Sequence, residues 1–278
     1  MQFINFNGTI HRSDEPLIQV GNRGFKYGDG FFESMVMFNR KLPLLDLHRS
    51  RIEYTADALF MQLPTNFALQ TIENQILELA EANKNIQNAR VRMQFYRKGD
   101  GLYLPDTDDT GYIITMDVIE NSSFRIGDGL QAGLRTDFFK PVYHLSDLKI
   151  SSALPYVQFA QFASADKVDE IILLNNHSKV CETIYSNVFM VLKNKLVTPD
   201  LDSGCVNGVM RSYLLSELEG NIEERTISPE ELLEADEIIL TNAVKGIQWI
   251  RQLGTMKYTN KKAEELTDFL NKHLLTRF

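Results

Sequence analysis

Hydrophobic and polar positions change period several times along this chain. QFINFNGTI alternates and breaks at Asn7-Gly8, a hairpin signature. GFFESMVMF, turning through Asn39-Arg40-Lys41 into LPLL, predicts a second hairpin. From Asp46 the spacing becomes helical, with Leu47, Arg51, Tyr54, Ala58 and Leu59 recurring at threes and fours. Thr65 or Asn66 is placed to cap a further helix whose apolar set is Leu69, Ile72, Ile76, Leu79 and Ala80. ARVRMQFYR and GYIITMDVI alternate as strands on either side of the turn-rich GLYLPDTDDTG.

The polar stretch ENSSFRIGDG reads as a linker, which predicts an N-terminal α/β domain over 1–120, a linker over 121–130 and a C-terminal domain over 131–278. Past it, PYVQFAQFASA predicts a helix with Pro155 in its first turn. EIILLNN, ETIYSNVFMVL and KLVTP read as strands, both faces of the second being largely apolar. VNGVMRSYLLSELEG predicts a helix closed by Gly220, and Ser228-Pro229-Glu230-Glu231 a capping box. DEIILTNAV predicts a last buried strand and residues 260–277 a last helix. The pattern is that of a two-domain α/β (α+β) protein with mixed sheets and no regular βαβ alternation.

Composition narrows the function classes. Of 278 residues, 44% are apolar and 24% charged, which is ordinary for a globular protein. No run of about 18 apolar residues occurs, so no membrane span is expected. The first residues turn polar too early for a secretory signal, so a cytoplasmic protein is expected. A net charge of −8 argues against a nucleic-acid partner. Two cysteines and five scattered histidines make neither a disulfide framework nor a zinc site, and no metal is expected.

Four features could carry chemistry. Lys149, between Leu148 and Ile150, is either a surface lysine or a buried amine nucleophile. Glu182 opens an otherwise apolar strand, where a carboxylate is costly unless paired. His48 and Arg51 share a helix face. The segments 207–211 and 240–244 open a helix and end a strand, and N–H groups at a helix start suit an anion. GNRGFKYGDG precedes a strand rather than a helix, so it is not a phosphate loop.

Taken in order, these segments resemble the class IV aminotransferases, the fold-type IV pyridoxal-phosphate enzymes. RGFKYGDGFFES is similar to that family's Arg-Gly-x-x-[Tyr/Phe]-Gly-Asp-Gly-x-[Phe/Tyr]-Glu segment, and LLDLHRSRI to its His-x-x-Arg helix. DLKISS matches the Schiff-base lysine segment and VCETIYSNVFMV the Glu-x-x-x-x-Asn-[Ile/Leu/Val]-Phe strand. LVTPDLDSGCVNGVMR and ADEIILTNAV match the Thr-Pro…Gly-x-x-Arg region and the closing phosphate-loop strand. The resemblance implies the D-amino-acid aminotransferase-like fold, with a β-barrel-like C-terminal domain carrying the lysine. It implies pyridoxal 5'-phosphate as cofactor, Lys149 as Schiff base and proton shuttle, and Glu182 facing the pyridine nitrogen. Arg51, Val209, Met210, Thr241 and Asn242 would meet the phosphate, with Asn187 a further cofactor contact. It also implies a homodimer.

Three reactions fit the family. Transamination between a branched-chain-like L-amino acid and a 2-oxoacid is the first reading. Aminodeoxychorismate lyase, releasing 4-aminobenzoate and pyruvate, is the second: NGVMR is similar to the lyases' Asn-Gly-[Ile/Val]-Met-Arg, and RKGDGLY to their Arg-Gly-x-Gly-Gly. D-amino-acid transamination ranks last, because Leu102 and Tyr103 replace the basic pair of its Pro-Arg-x-His motif. Ser152 stands where the family usually places Asn. Arg97 is the candidate for the substrate carboxylate, with a strand-end salt bridge as its alternative, and Glu33 and Tyr103 are further candidates for substrate contact.

Overall fold

The computed structural model describes residues 2–275. The chain forms two units, Met1–Ser122 with Lys149–Ser152, and Ser123–Leu148 with Ala153–Phe278.

The first unit is an antiparallel sheet backed by helices. Its elements are β1 (Phe3–Phe6), β2 (Thr9–Arg12), α1 (Arg23–Tyr27), β3 (Gly30–Met37), α2 (Leu45–Ala58), α3 (Leu69–Ala82), β4 (Ala89–Arg97) and β5 (Thr110–Val118). The strand order is β2-β1-β5-β4-β3. Asn7 and Gly8 both take positive φ, as a tight hairpin turn requires. Met35, Met37, Val91, Met93 and Phe95 bury one sheet face against Ile52, Ala56, Ile72, Ile76 and Leu79. The second hairpin stops at a bridge between Phe38 and Lys41, and Leu44 then turns the chain into α2. Thr65 and Asn66 do not cap α3. A turn closed by Phe67 N–H on Pro64 C=O uses that stretch, and the helix starts behind Ala68.

The expected place of Lys149 in the C-terminal domain is corrected. Phe32 N–H donates to Lys149 C=O (3.0 Å), Ser151 N–H donates to Gly30 C=O (2.9 Å), and Phe31 pairs with Ile150. The lysine segment therefore lies along the open edge of β3, as part of the first unit.

The second unit contains β6 (Leu130–Leu134), α4 (Leu154–Asp166), β7 (Glu170–Leu174), β8 (Val180–Thr183), β9 (Asn187–Leu192), β10 (Lys195–Thr198), α5 (Val209–Glu217), β11 (Ile222–Glu224), α6 (Pro229–Glu234), β12 (Glu237–Asn242), β13 (Gly246–Leu253), β14 (Met256–Lys257) and α7 (Lys261–Leu270). A π turn extends α7 to Leu275, and residues 276–277 of the expected helix lie outside the described residues. The sheet runs β11-β10-β9-β12-β13-β6-β7-β8, with β14 on β13. It mixes parallel pairs, such as β6 with β7, and antiparallel ones, such as β9 with β12. The expected single strand ETIYSNVFMVL is broken. Thr183 N–H and hydroxyl both donate to Ser186 C=O, closing a turn at Ile184–Ser186. This turn ties β8, the last strand of the sheet path, to β9 near its other end, so six strands curl back on themselves as a barrel-like wall.

Candidate active site

In the first unit, β3 turns Glu33 toward the helix-covered face, one turn of α2 presents His48 and Arg51, and the three meet in the interior. Arg51 grips Glu33 through Nε–Oε1 (2.6 Å) and Nη2–Oε2 (2.7 Å), and His48 Nδ1 lies 2.7 Å from Oε2. Burial works against the Glu33 charge, but the Arg51 charge and the hydrogen bonds of His48 and Arg51 outweigh it and hold the carboxyl down at about 2. Burial pushes the His48 imidazole down, only partly offset by Glu33. Glu33, expected to touch substrate, is thus the clamp that orients Arg51.

Arg97 is committed to the protein. Its guanidinium reaches Asp29 (3.2 Å), Asp108 (2.7 Å) and the carbonyls of Phe60 (2.8 Å) and Leu59 (2.7 Å). The strand-end alternative accounts for it, and the substrate-carboxylate role is withdrawn. Arg23 pairs with Asp29 (2.7 Å) and donates to the backbone carbonyls of Asp100, Gly101, Leu102 and Tyr103. It thereby shapes the loop after β4. Tyr103 is 89% exposed, with its ring centroid 5.8 Å from that of Tyr27. Lys149 Nζ lies 4.4 Å from the Phe32 ring centroid.

In the second unit, Glu182 is buried on β8 and answers the question its sequence raised. Oε1 accepts from Lys140 Nζ (2.5 Å) and from the Tyr156 hydroxyl (2.6 Å), and Oε2 accepts from Val206 N–H (3.0 Å). Burial opposes the charge on Lys140, and the Glu182 carboxylate overrides it, so the ammonium is held above the usual lysine range. Burial and the neighbouring carboxylate raise the Tyr156 hydroxyl well above its ordinary value. Sequence reasoning missed Lys140 and Tyr156. The one signal for Lys140 was a lysine flanked by Phe139 and Pro141.

Val206 links Glu182 to an anion cradle. Its carbonyl accepts from Asn187 Nδ2 (2.7 Å). Asn187 stands opposite Thr241 across β9 and β12. Gly208 caps α5 so near to Asn187 that a Cβ there would come within 1.9 Å of Oδ1. The first N–H groups of α5, at Val209 and Met210, have no acceptor within the helix. Beside them the Thr241 hydroxyl is buried without a hydrogen-bond partner. A buried orphan donor costs about 1–3 kcal/mol unless a ligand satisfies it. Asn242 instead shapes the β12–β13 turn, accepting from the N–H groups of Val244 and Lys245 and donating to Ser186 Oγ. Asn187, expected to contact cofactor, braces the start of α5. The cradle suits a phosphate: neutral donors, a helix start and no acid among the groups described other than Glu182, which is paired with Lys140.

The class IV aminotransferase model matches residues 30–253. The chain belongs to the class IV aminotransferases. Pyridoxal 5'-phosphate is that family's cofactor. A protein of Thermotoga maritima named as a probable branched-chain-amino-acid aminotransferase is 26% identical over 269 residues, covering 94% of this chain and 91% of its own. The D-alanine aminotransferase of Bacillus licheniformis is 26% identical over 258 residues, covering 87% and 85%. The crystal structure of 4-amino-4-deoxychorismate lyase from Pseudomonas aeruginosa superposes with a TM-score of 0.82 at 25% identity, over 98% of this chain and 99% of that one. No helix among the described residues is long and apolar enough to cross a membrane.

Proposed function

We propose that this aminotransferase moves an amino group between an L-amino acid with a branched, apolar side chain and a 2-oxoacid. The observation that carries cofactor binding is the orphaned Thr241 hydroxyl beside the start of α5. Thr241 and the N–H groups of Val209 and Met210 would hold the phosphate as neutral donors. Arg51, kept in orientation by Glu33, would add its charge. Glu182 retains one accepting position on Oε2 beyond Val206, enough for the ring N–H of the cofactor. When bound, pyridoxal phosphate supplies an electron sink for a carbanion beside the amino group. Lys149 would hold the cofactor covalently and, once released, move the proton at the substrate Cα. Lys140 pairs with Glu182 at 2.5 Å, and Tyr156 and Val206 fix the direction in which it accepts.

The similarity to the Thermotoga relative supports the branched-chain choice. The second reading, aminodeoxychorismate lyase, is favoured by Asn-Gly-Val-Met-Arg at 207–211. Purified protein should turn L-leucine and 2-oxoglutarate into 4-methyl-2-oxopentanoate and L-glutamate. Release of 4-aminobenzoate from aminodeoxychorismate, with no need for an amino acceptor, would replace the first reading by the second. A homodimer is proposed from the exposed Leu102, Tyr103 and Leu104 on a loop that Arg23 holds in shape, and sedimentation velocity tests it. A cytoplasmic location is proposed from the two free, buried thiols of Cys181 and Cys205. Fractionation of the source cells tests that.

A further inference from the structure

Glu170 is a buried acid that neither the anion cradle nor the Lys140–Glu182 pair uses. It opens β7, opposite Ala132 of β6. On the other side, β7 pairs with β8 through Ile172 with Thr183 and Leu173 with Glu182. Carried on, that antiparallel register would set Tyr185 against Glu170. The ladder stops instead. In place of a backbone acceptor, Glu170 Oε1 takes the Ile184 N–H (3.0 Å). The chain then leaves the sheet into the Ile184–Ser186 turn, which Thr183 closes by donating its N–H (2.8 Å) and its hydroxyl (3.1 Å) to Ser186 C=O.

Both ends of this turn belong to the candidate site. Glu182, the proposed partner of the cofactor ring, precedes it. Asn187, which braces the start of α5 and stands opposite Thr241, follows it. Asn242 ties Ser186 Oγ to the β12–β13 turn (3.1 Å). From β7, Glu170 therefore anchors the segment that joins the ring contact to the phosphate cradle.

The Thr183 hydroxyl has one proton and two acceptors within hydrogen-bond reach, Ser186 C=O and the Glu170 carboxyl. A protonated Glu170 donates to the hydroxyl oxygen and leaves the hydroxyl proton on Ser186 C=O. An ionised Glu170 has no proton to give and draws the hydroxyl proton to itself, which removes one of the two bonds that close the turn. A hydroxyl rotates and no heavy atom has to move. Burial raises the Glu170 carboxyl to about 7, against the N–H groups of Ile184 and Ile171, the Thr183 hydroxyl and the Lys245 charge. Helix α4 meets β7 with Phe159 and Ala163, which do not titrate. Lys245, on the β12–β13 turn, is exposed to solvent. Both forms of Glu170 are thus populated around neutral pH.

We propose that Glu170 is a positioning residue for cofactor binding: its protonated form closes the β8–β9 turn, and its ionisation loosens the hold on the phosphate. The proposal rests on the reading of Thr241 and the start of α5 as the phosphate cradle. An ionised Glu170 also repels a bound phosphate, so both effects have one sign. The contribution to affinity is full below the folded value and is lost as pH rises through it.

The test is fluorescence titration at pH 6 and pH 8.5 with pyridoxamine 5'-phosphate, which has no aldehyde for Lys149 to capture. Titration of the ligand itself cancels when two proteins are compared as a ratio of dissociation constants. Glu170→Gln carries an amide that donates and accepts at every pH, as the protonated acid does. Wild type and Glu170→Gln should bind alike at pH 6. At pH 8.5 the wild type should bind about twofold to tenfold more weakly, the size of one net hydrogen bond. Thr183→Val, which removes the shared hydroxyl, should weaken binding relative to wild type at pH 6 and hardly at all at pH 8.5. A merely structural Glu170 would shift the melting temperature and leave both ratios independent of pH, which overturns the proposal while the cofactor reading stands. If Glu170→Gln does not fold, the Thr183→Val ratio decides alone. A wild type that takes up no pyridoxamine 5'-phosphate at either pH overturns the cradle reading and the proposal with it.

Discussion

Replacing Lys140 by methionine strands a carboxylate in the interior of the second unit. Lys140 and Glu182 are both almost fully buried and meet at 2.5 Å. The methionine fills most of the volume, so the change isolates charge from packing. Removing one partner of a buried pair costs about 3–5 kcal/mol, because the other charge stays behind in a poor solvent. Two donors remain, the Tyr156 hydroxyl and Val206 N–H, which places the expected loss toward the lower end. In a chain of this size that lowers the melting temperature by roughly 6–20 °C. The assay is thermal unfolding with no cofactor added. Adding Glu182→Gln removes the stranded charge, and the double variant should recover about 1–3 kcal/mol relative to Lys140→Met alone. A Lys140→Met protein that melts like the wild type, or a double variant that melts no higher than Lys140→Met, refutes the reasoning.

Thr241→Val should leave the cofactor-free protein as stable or about 1 kcal/mol more stable, because the orphaned hydroxyl disappears, while cofactor affinity falls; fluorescence titration with pyridoxal phosphate and a denaturant melt read the two opposite signs. Gly208→Ala drives a methyl group into Asn187 Oδ1 and should shift the start of α5, lowering cofactor affinity at least about tenfold. An unchanged dissociation constant would show that the cradle lies elsewhere. Burial raises the Glu170 carboxyl to about 7, so its contribution is full below the unfolded value near about 4.5 and is lost as pH rises through 7. Glu170→Gln should therefore gain on the wild type with rising pH, by up to about 3 kcal/mol at pH 8, and a pH-independent difference in melting temperature would count against this.

Local signals were legible and non-local ones were not. The Asn7-Gly8 turn, the α3 apolar set and the Ser228–Glu231 capping box depend on neighbours in sequence, and all three form. The Thr65 or Asn66 cap failed because a competing turn at Pro64–Phe67 takes the same residues. The break at Ile184–Ser186 was hidden because both faces of the segment are apolar, so parity carried no information there. Glu182 stood out as an acid needing a partner, but that partner is 42 residues away on a segment joined to the sheet by one isolated bridge at Asn175, where no spacing rule applies. Arg97 and Arg92 look alike in ARVRMQFYR. Only the acids supplied by distant loops single out Arg97 as a saturated guanidinium. Strands β6, β11, β13 and β14 were not foreseen; Leu130–Leu134 and Gly246–Leu253 form by pairing with each other across more than a hundred residues.

Arg23 holds the loop after β4 through main-chain oxygen atoms of four consecutive residues, Asp100 to Tyr103. Carbonyl groups are common to every amino acid, so the loop's course is nearly independent of which side chains it displays. Its tip can therefore be rewritten while the backbone stays put. For anyone diversifying this scaffold, positions 102–104 are a ready-made library site, and Arg23 is the residue to leave untouched.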